Sequence, residues 1–381
     1  MRPEFPAPVN PPARVPWLEL IALFISSRVL IVIIAWFSLM IIKPGDDFGN
    51  HSRLLDTFLR WDTQWFQAIA NQGYSYNPEQ QSSVAFFPIY PLAIKLLTPL
   101  FGSSAWAGIF ISNLALFGAI VLLWKLAEDV AAAPHGGLAP GDGIKTTRLL
   151  LFGPVTFFHS IVYSEATFLF LSVACVYAAR RRVWWAAGLA GYAAALTRNA
   201  GVLLIIPMLV EFFDLRLRAP FFMRDVPWLK VIFCLLPIAG FITWATYLAW
   251  KFGDPMVVLK AQSSWDRKLT WPWETILASG EGFYHHWFKA HALTALLLLV
   301  VCLLGRLRLS LLLLGTAALL LNISARHLEA IPRLTSVIFP LYFGWVILMR
   351  RWPALESIFL AASAILLAFS TILFVNGYWF T

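Results

Sequence analysis

The feature that most limits what this chain can fold into is a series of apolar runs, most of them long enough to cross a bilayer, joined by loops too short to hold a separate fold. A spanning helix needs roughly 20 mainly apolar residues. The first run, 17–42, gives about 39 Å of helix at 1.5 Å per residue and carries no small-residue cleavage site, so it reads as a retained span and not as a leader. Further spans are expected at 105–125, 147–163, 165–180, 228–250, about 288–305, 309–323, 333–349 and 354–376. With 60% hydrophobic and 13% charged residues, against roughly 25% charged in a soluble domain, a soluble globular fold is excluded. The expected fold is an all-α polytopic membrane protein: one transmembrane domain over 17–381, preceded by a Pro-rich tail at 1–16. The tail cannot be helical, and its Arg2 and Arg14 favour a cytoplasmic N-terminus.

Two stretches resist counting as spans. The run 184–213 is too long for one helix and too short for two, and Thr197-Arg198-Asn199-Ala200-Gly201 interrupts it. Two half-helices that dip in and return to the same side fit it, because a break inside a membrane needs protein or a water-filled cavity to satisfy the backbone. The run 85–101 holds Pro88, Pro91, Pro99 and Lys95 and suits an interfacial helix. With these choices every tight basic cluster, including Arg180-Arg181-Arg182, Arg306 with Arg308, and Arg350-Arg351, falls on the cytoplasmic side. The net charge of +9 then belongs to loops facing anionic lipid, and no aromatic-basic motif points to nucleic acid. Two outer loops, 43–104 and 251–287, remain as the places for chemistry.

In 54–71 the apolar residues recur with a helical period, and Asp62 falls within their stripe. A carboxylate there needs a hydrogen-bonding partner or a function, and it is the candidate general base. Glu165, where two spans meet, and Arg198, at the tip of the broken pair, are expected near the same outer side. Structural roles stay open for both: Glu165 as a helix-capping residue, Arg198 as a donor to freed carbonyls. Arg28 in the first span reads as a local or snorkelling charge. Gln262, Trp265 and Arg267 come from the second outer loop, and Arg333 from a third short one. Arginine at a lipid headgroup suits a phosphate. Trp61, Trp65 and Trp265 belong either to an interfacial belt or to a platform on which a sugar ring stacks. His285, His286 and His291 lack a carboxylate at ligand spacing, and Cys175, Cys234 and Cys302 sit in apolar runs, so no metal site or disulfide is expected. No phosphate-binding glycine motif is present, so a transferase of this kind would take its donor as a lipid.

The string RWDTQWFQAIANQGYSYNPEQQSSVAFFPIYPLAIKLL, Arg60 to Leu97, resembles the PIG-V family of mannosyltransferases, whose eukaryotic members add a mannose to the GPI-anchor precursor. The matching features are Trp61-Asp62, Gly73-Tyr74 and Ala85-Phe86-Phe87-Pro88-Ile89-Tyr90-Pro91. Tyr163-Ser164-Glu165, Leu196-Thr197-Arg198, Gly253-Asp254-Pro255 with Gln262 and Trp265, and Pro332-Arg333 follow in order. The resemblance implies a GT-C glycosyltransferase with two interfacial helices in its first outer loop. It implies a polyprenyl- or dolichyl-phosphate sugar as donor, no bound cofactor, and a lipid or glycan acceptor; a divalent metal stays open. Asp62 would be the catalytic base, with Glu165, Arg198, Arg267, Arg333 and Gln262 at the donor phosphate and sugar. Trp61, Trp65, Tyr74, Tyr90 and Trp265 would contact sugar or lipid. The chain lacks the longer loops of eukaryotic members, which leaves the acceptor undefined and favours a bacterial cytoplasmic membrane over the endoplasmic reticulum. The competing expectation is a transporter or flippase with Arg28, Glu165 and Arg198 along a path.

Overall fold

The computed structural model describes residues 14–42, 54–133, 136–213, 230–278 and 282–378. Most of the Pro-rich tail, the connection 43–53 and the basic residues Arg216, Arg218 and Arg224 lie outside them. The described chain is helical, with a single isolated bridge between Leu269 and Ala325. Five helices are long and apolar enough to cross a membrane: α1 (Trp17–Ile41), α4 (Ser104–Ala131), α9 (Val231–Phe252), α12 (Phe283–Leu304) and α16 (Ala354–Val375). Leu18, Ile25 and Val29 of α1 are exposed, as a lipid-facing surface requires. The chain is an integral membrane protein.

Between these spans lie α2 (Asp62–Gln72), α3 (Ile89–Phe101), α5 (Asp142–Leu151), α6 (Glu165–Arg180), α7 (Trp184–Ala195) and α8 (Ile205–Phe213). Later come α10 (Val257–Ser263), α11 (Pro272–Leu277), α13 (Leu309–Ile323), α14 (Ile331–Ser336) and α15 (Pro340–Arg351). The main core joins Leu116, Ile120 and Leu123 of α4 to Leu169, Val173 and Val176 of α6, all fully buried.

Three expectations are corrected. The run 147–163 is not a span: α5 stops at Leu151, and Gly153-Pro154 leads into turns and a short 3-10 segment, Thr156–His159. Arg28 meets several polar groups of this buried non-helical stretch, donating to Ser160 and, at 3.4 and 3.5 Å, to Thr156 Oγ1 and the Leu151 carbonyl. The run 333–349 is likewise two pieces, because Pro340 restricts the residue before it and opens α15. The helix read over 54–71 begins only at Asp62. A 3-10 turn at Asp56–Phe58 precedes it, and Trp61 takes φ +48°, so the chain turns sharply immediately before the acid. Asp62 therefore stands in the first turn of α2, where its charge complements the helix dipole, and not midway along an apolar stripe.

The broken pair is a hairpin. Its two ends meet where the Trp184 and Phe212 rings lie 5.0 Å apart, and Glu211 takes two hydrogen bonds from Arg308 and one from Ser310. Arg180, at the same end, pairs with Asp129 at 2.5 Å. The apex, Leu196–Gly201, reaches the far end of α6, about 24 Å away along its 16 residues. Gly201 permits the apex, since a Cβ there would stand 2.3 to 2.5 Å from the main chain of Ala194 and Ala195, which cannot yield. Gly201→Ala is expected to destabilise the fold by about 3 kcal/mol, the upper end for overpacking. A lowered thermal unfolding midpoint of the purified protein checks this.

Candidate active site

Five helix interruptions converge on one cavity of about 720 Å³: the start of α2, the start of α6, the hairpin apex, the α10–α11 loop, and α14. Such breaks leave backbone groups and polar side chains free of their own helices, which is how a polar chamber is built beside a membrane.

Its centre is a chain of ion pairs. Arg333 Nη1 donates to Asp62 Oδ2 at 2.5 Å, and Arg333 Nε lies 3.3 Å from Glu165 Oε1. Arg198 Nη1 donates to the same Glu165 oxygen at 2.6 Å and to Ser164 Oγ at 3.3 Å. Glu165 is 1% exposed, and its Oε2 has no hydrogen-bond partner. An unsatisfied buried carboxylate oxygen costs free energy of about 1–3 kcal/mol or more, which a donor such as a sugar hydroxyl would recover. The Arg333 guanidinium sits over the rings of Tyr163 and Phe158, at 5.2 and 5.7 Å from their centroids, which fixes it laterally. Tyr163 donates to the Arg60 carbonyl at 3.3 Å, and buried Arg60 donates to the carbonyls of Thr57 and Val375. The approach to α2 is thereby tied to α6 and α16. Nothing in the sequence pattern marks Arg60, Tyr163 or Phe158 for these roles.

The opposite wall is aromatic. Trp65 stacks on Phe86 at 5.8 Å, and Trp265 meets both rings edge-on at 6.0 Å. Gln262 donates to the Ala85 carbonyl at 3.4 Å. Asp266, with φ +52°, is gripped by Arg326 at 2.8 Å and His327 at 2.6 Å. The His327 hydrogen bond holds the Asp266 carboxyl below its ordinary range. Trp265 and Arg267, its neighbours, line the cavity. Arg267 forms no ion pair with a described residue. A second, largely apolar hollow of about 270 Å³ runs between Leu204, Leu314, Ala318, Leu321 and Ile338, and it shares Arg198, Asn199, Gln262 and Arg267 with the polar cavity.

Trp61, Asp62, Trp65, Glu165, Arg198, Gln262, Trp265, Arg267 and Arg333 thus line one chamber. Tyr74 and Tyr90 do not, and the complete burial of Tyr90 corrects the sugar or lipid contact expected there. Tyr90 is fully buried, hydrogen-bonded to Ser112 Oγ at 2.8 Å and to the Gly108 carbonyl, and bolts α3 to α4. Tyr74 packs on Trp244 and Tyr247, and bracing is its visible role. Arg28 lines neither hollow. Among the described residues no cluster of three or more His, Cys, Asp or Glu is arranged to hold a metal.

Helical spans surrounding a chamber of broken helices make a polytopic, all-helical membrane fold. Over 93% of the chain the structure resembles ArnT from Cupriavidus metallidurans bound to undecaprenyl phosphate, with TM-score 0.53, 16% identity and 64% of that chain covered. Residues 46–211 match the family model Mannosyltransferase (PIG-V), which bears out the resemblance read from the sequence. The chain is similar to the GPI alpha-1,6-mannosyltransferase 2 of Mus musculus, 33% identical over 156 residues, covering 39% of this chain and 30% of the mouse protein. The Rattus norvegicus enzyme is 29% identical over 205 residues, covering 48% of this chain and 40% of its own length. The match thus spans well under half the length of these curated relatives. Asp62, Glu165 and Arg198 fall inside the family match, whereas Arg267 and Arg333 lie beyond it.

Proposed function

We propose that the protein is an inverting glycosyltransferase that moves a hexose, mannose by family likeness, from a polyprenyl- or dolichyl-phosphate carrier to a hydroxyl of a lipid or glycan acceptor. The observation that carries the reading is the convergence of Asp62 and three arginines in a chamber that adjoins an apolar hollow and shares lining residues with it. A lipid-linked donor needs both: cations for its phosphate and an apolar channel for its tail. The undecaprenyl phosphate bound by ArnT supports such a donor. The reaction face is the one opposite the Arg180, Arg308 and Arg350 ends of the helices, hence the outer face under the positive-inside rule. Helices α2 and α3 would lie along that surface; Leu92, Leu96 and Leu100, exposed at helical spacing on α3, suit contact with lipid. The lack of the longer loops expected of eukaryotic members favours a bacterial cytoplasmic membrane.

In the reaction, Asp62 takes the proton of the acceptor hydroxyl as its oxygen bonds to the anomeric carbon from the face opposite the phosphate. The bond from that carbon to the phosphate oxygen breaks, and its electron pair leaves with the phosphate. No acid is needed for so weakly basic a leaving group. Arg198, Arg267 and Arg333 meet the growing charge, each well-placed donor contributing about 3 kcal/mol. Glu165 holds Arg198 and Arg333 in place and offers Oε2 to a sugar hydroxyl. The tail would enter the hollow beside α13. Against a carrier reading, Arg28 lines neither hollow and is committed to the 151–160 segment.

Arg267→Ala is expected to raise the KM for donor about tenfold, the effect of about 1.4 kcal/mol, with kcat less affected, because Arg267 sits where hollow and chamber meet. Titration of polyprenyl-phosphate mannose against initial rate checks it. The reading itself is tested by offering purified protein labelled mannose on a polyprenyl phosphate or on GDP, with a membrane lipid extract as acceptor source. Label should enter a new lipid or glycan from the polyprenyl donor only; transfer from the nucleotide donor alone would refute a lipid-donor enzyme.

A further inference from the structure

Arg333 differs from the other two cavity arginines in how little it can move. It is 8% exposed, its guanidinium lies over two aromatic faces, and it alone bridges both carboxylates. Its Nε makes no hydrogen bond. A side chain so enclosed cannot swing toward a ligand and back, so a change in its pairing must come from a change in its partners.

The charges of the chamber supply such a change. Asp62 and Glu165, the carboxylates of the ion-pair chain, stand among Arg198, Arg267 and Arg333. Asp266 is offset by Arg326, and exposed Glu329 lines the same cavity and acts on Arg267. A polyprenyl-phosphate sugar is a phosphodiester with one negative charge. Transfer converts it into a monoester approaching two negative charges. In the same step Asp62 accepts the acceptor proton and becomes neutral. The centre thus gains one positive charge as the phosphate gains one negative charge, so the sum is unchanged while the ownership of one cation has shifted.

Building on the lipid-phosphate donor proposed above, we infer that Arg333 is a charge-transfer arginine: paired to Asp62 before reaction, it is released to the polyprenyl monophosphate product by protonation of Asp62, without leaving its seat. The handover lowers the barrier when charge reaches the leaving oxygen. It also makes the protonated enzyme a tight binder of its own product, so loss of the Asp62 proton ejects the monophosphate and resets the site.

Neutralising Asp62 should therefore improve product binding, a gain that structural damage does not produce. The test measures equilibrium binding of a short-chain polyprenyl monophosphate to the purified full chain in detergent, for wild type, Asp62→Asn, Asp62→Glu, Arg267→Ala and Asp62→Asn with Arg333→Lys. Asp62→Asn is expected to bind about tenfold tighter than wild type, the effect of roughly 1.4 kcal/mol. Asp62→Glu should resemble wild type, Arg267→Ala should bind more weakly, and the double variant should lose most of the gain. Asp62→Ser replaces the Asn variant if the latter does not fold. If the neutral variants bind no tighter than wild type while Arg267→Ala still weakens binding, the handover is wrong and the donor reading stands. If wild type and all variants fail to bind the monophosphate, the donor reading falls and the handover with it.

Discussion

Asp62→Asn is expected to leave a folded protein whose sugar transfer is slower by at least about 100-fold, and up to about 10,000-fold, the range for removing a positioned general base. The amide keeps the shape of the side chain and can still accept a hydrogen bond from Arg333, but it cannot take a proton from the acceptor. The carboxylate is well placed for that role: the sharp turn at Trp61 and the first turn of α2 aim it into the chamber, and Arg333 fixes one of its oxygens at 2.5 Å. Its side chain is 25% exposed, so an acceptor can reach it. Comparing kcat at saturating donor, with matched thermal unfolding curves, separates a lost base from a lost fold. Activity within a few-fold of wild type would remove Asp62 from the chemistry.

Arg333→Lys should cost about 100- to 1,000-fold in kcat, the scale for losing one aligned donor to a developing oxyanion. The substitution retains the charge, so neither carboxylate is left without a cation, and the several kcal/mol penalty of a broken buried pair is largely avoided. What it removes is the planar fork that reaches Asp62 and Glu165 from one side chain while lying flat over Tyr163 and Phe158. Arg333→Ala goes further, stranding two carboxylates, and is expected to reduce folded yield as well as rate. A lysine variant with wild-type kcat and a raised KM alone would mean that Arg333 binds the ground state and has no special part in the transition state.

Much of the architecture was legible because hydropathy and length suffice for a continuous span: α1, α4, α9, α12 and α16 lie within a few residues of where the apolar runs put them. The hairpin was legible for another reason. Thr197-Arg198-Asn199 is a polar interruption in an apolar run, and only a cavity makes it tolerable. Hydropathy is blind to breaks made of apolar residues, which is why 147–163 and 333–349 read as spans although Gly153-Pro154 follows the end of one helix and Pro340 opens a new one. The site was visible as a set of residue types and not as an arrangement. Asp62 and Arg333 are 271 positions apart, and no local pattern predicts that they touch. Tyr90 belongs to the motif that carries the family resemblance, but its hydroxyl is spent on joining α3 to α4, a role indistinguishable in sequence from substrate contact.

The most direct measurement follows both products of a single reaction by mass spectrometry, with purified protein, a polyprenyl-phosphate hexose and an acceptor-containing lipid extract. Wild type should convert donor to polyprenyl monophosphate in step with the appearance of an acceptor heavier by one hexose, and the Asp62→Asn protein should do neither. Donor consumed at the same rate with and without acceptor, or donor left intact by folded wild type across a panel of lipid-linked sugars and acceptor extracts, would contradict the assignment of this chamber to glycosyl transfer.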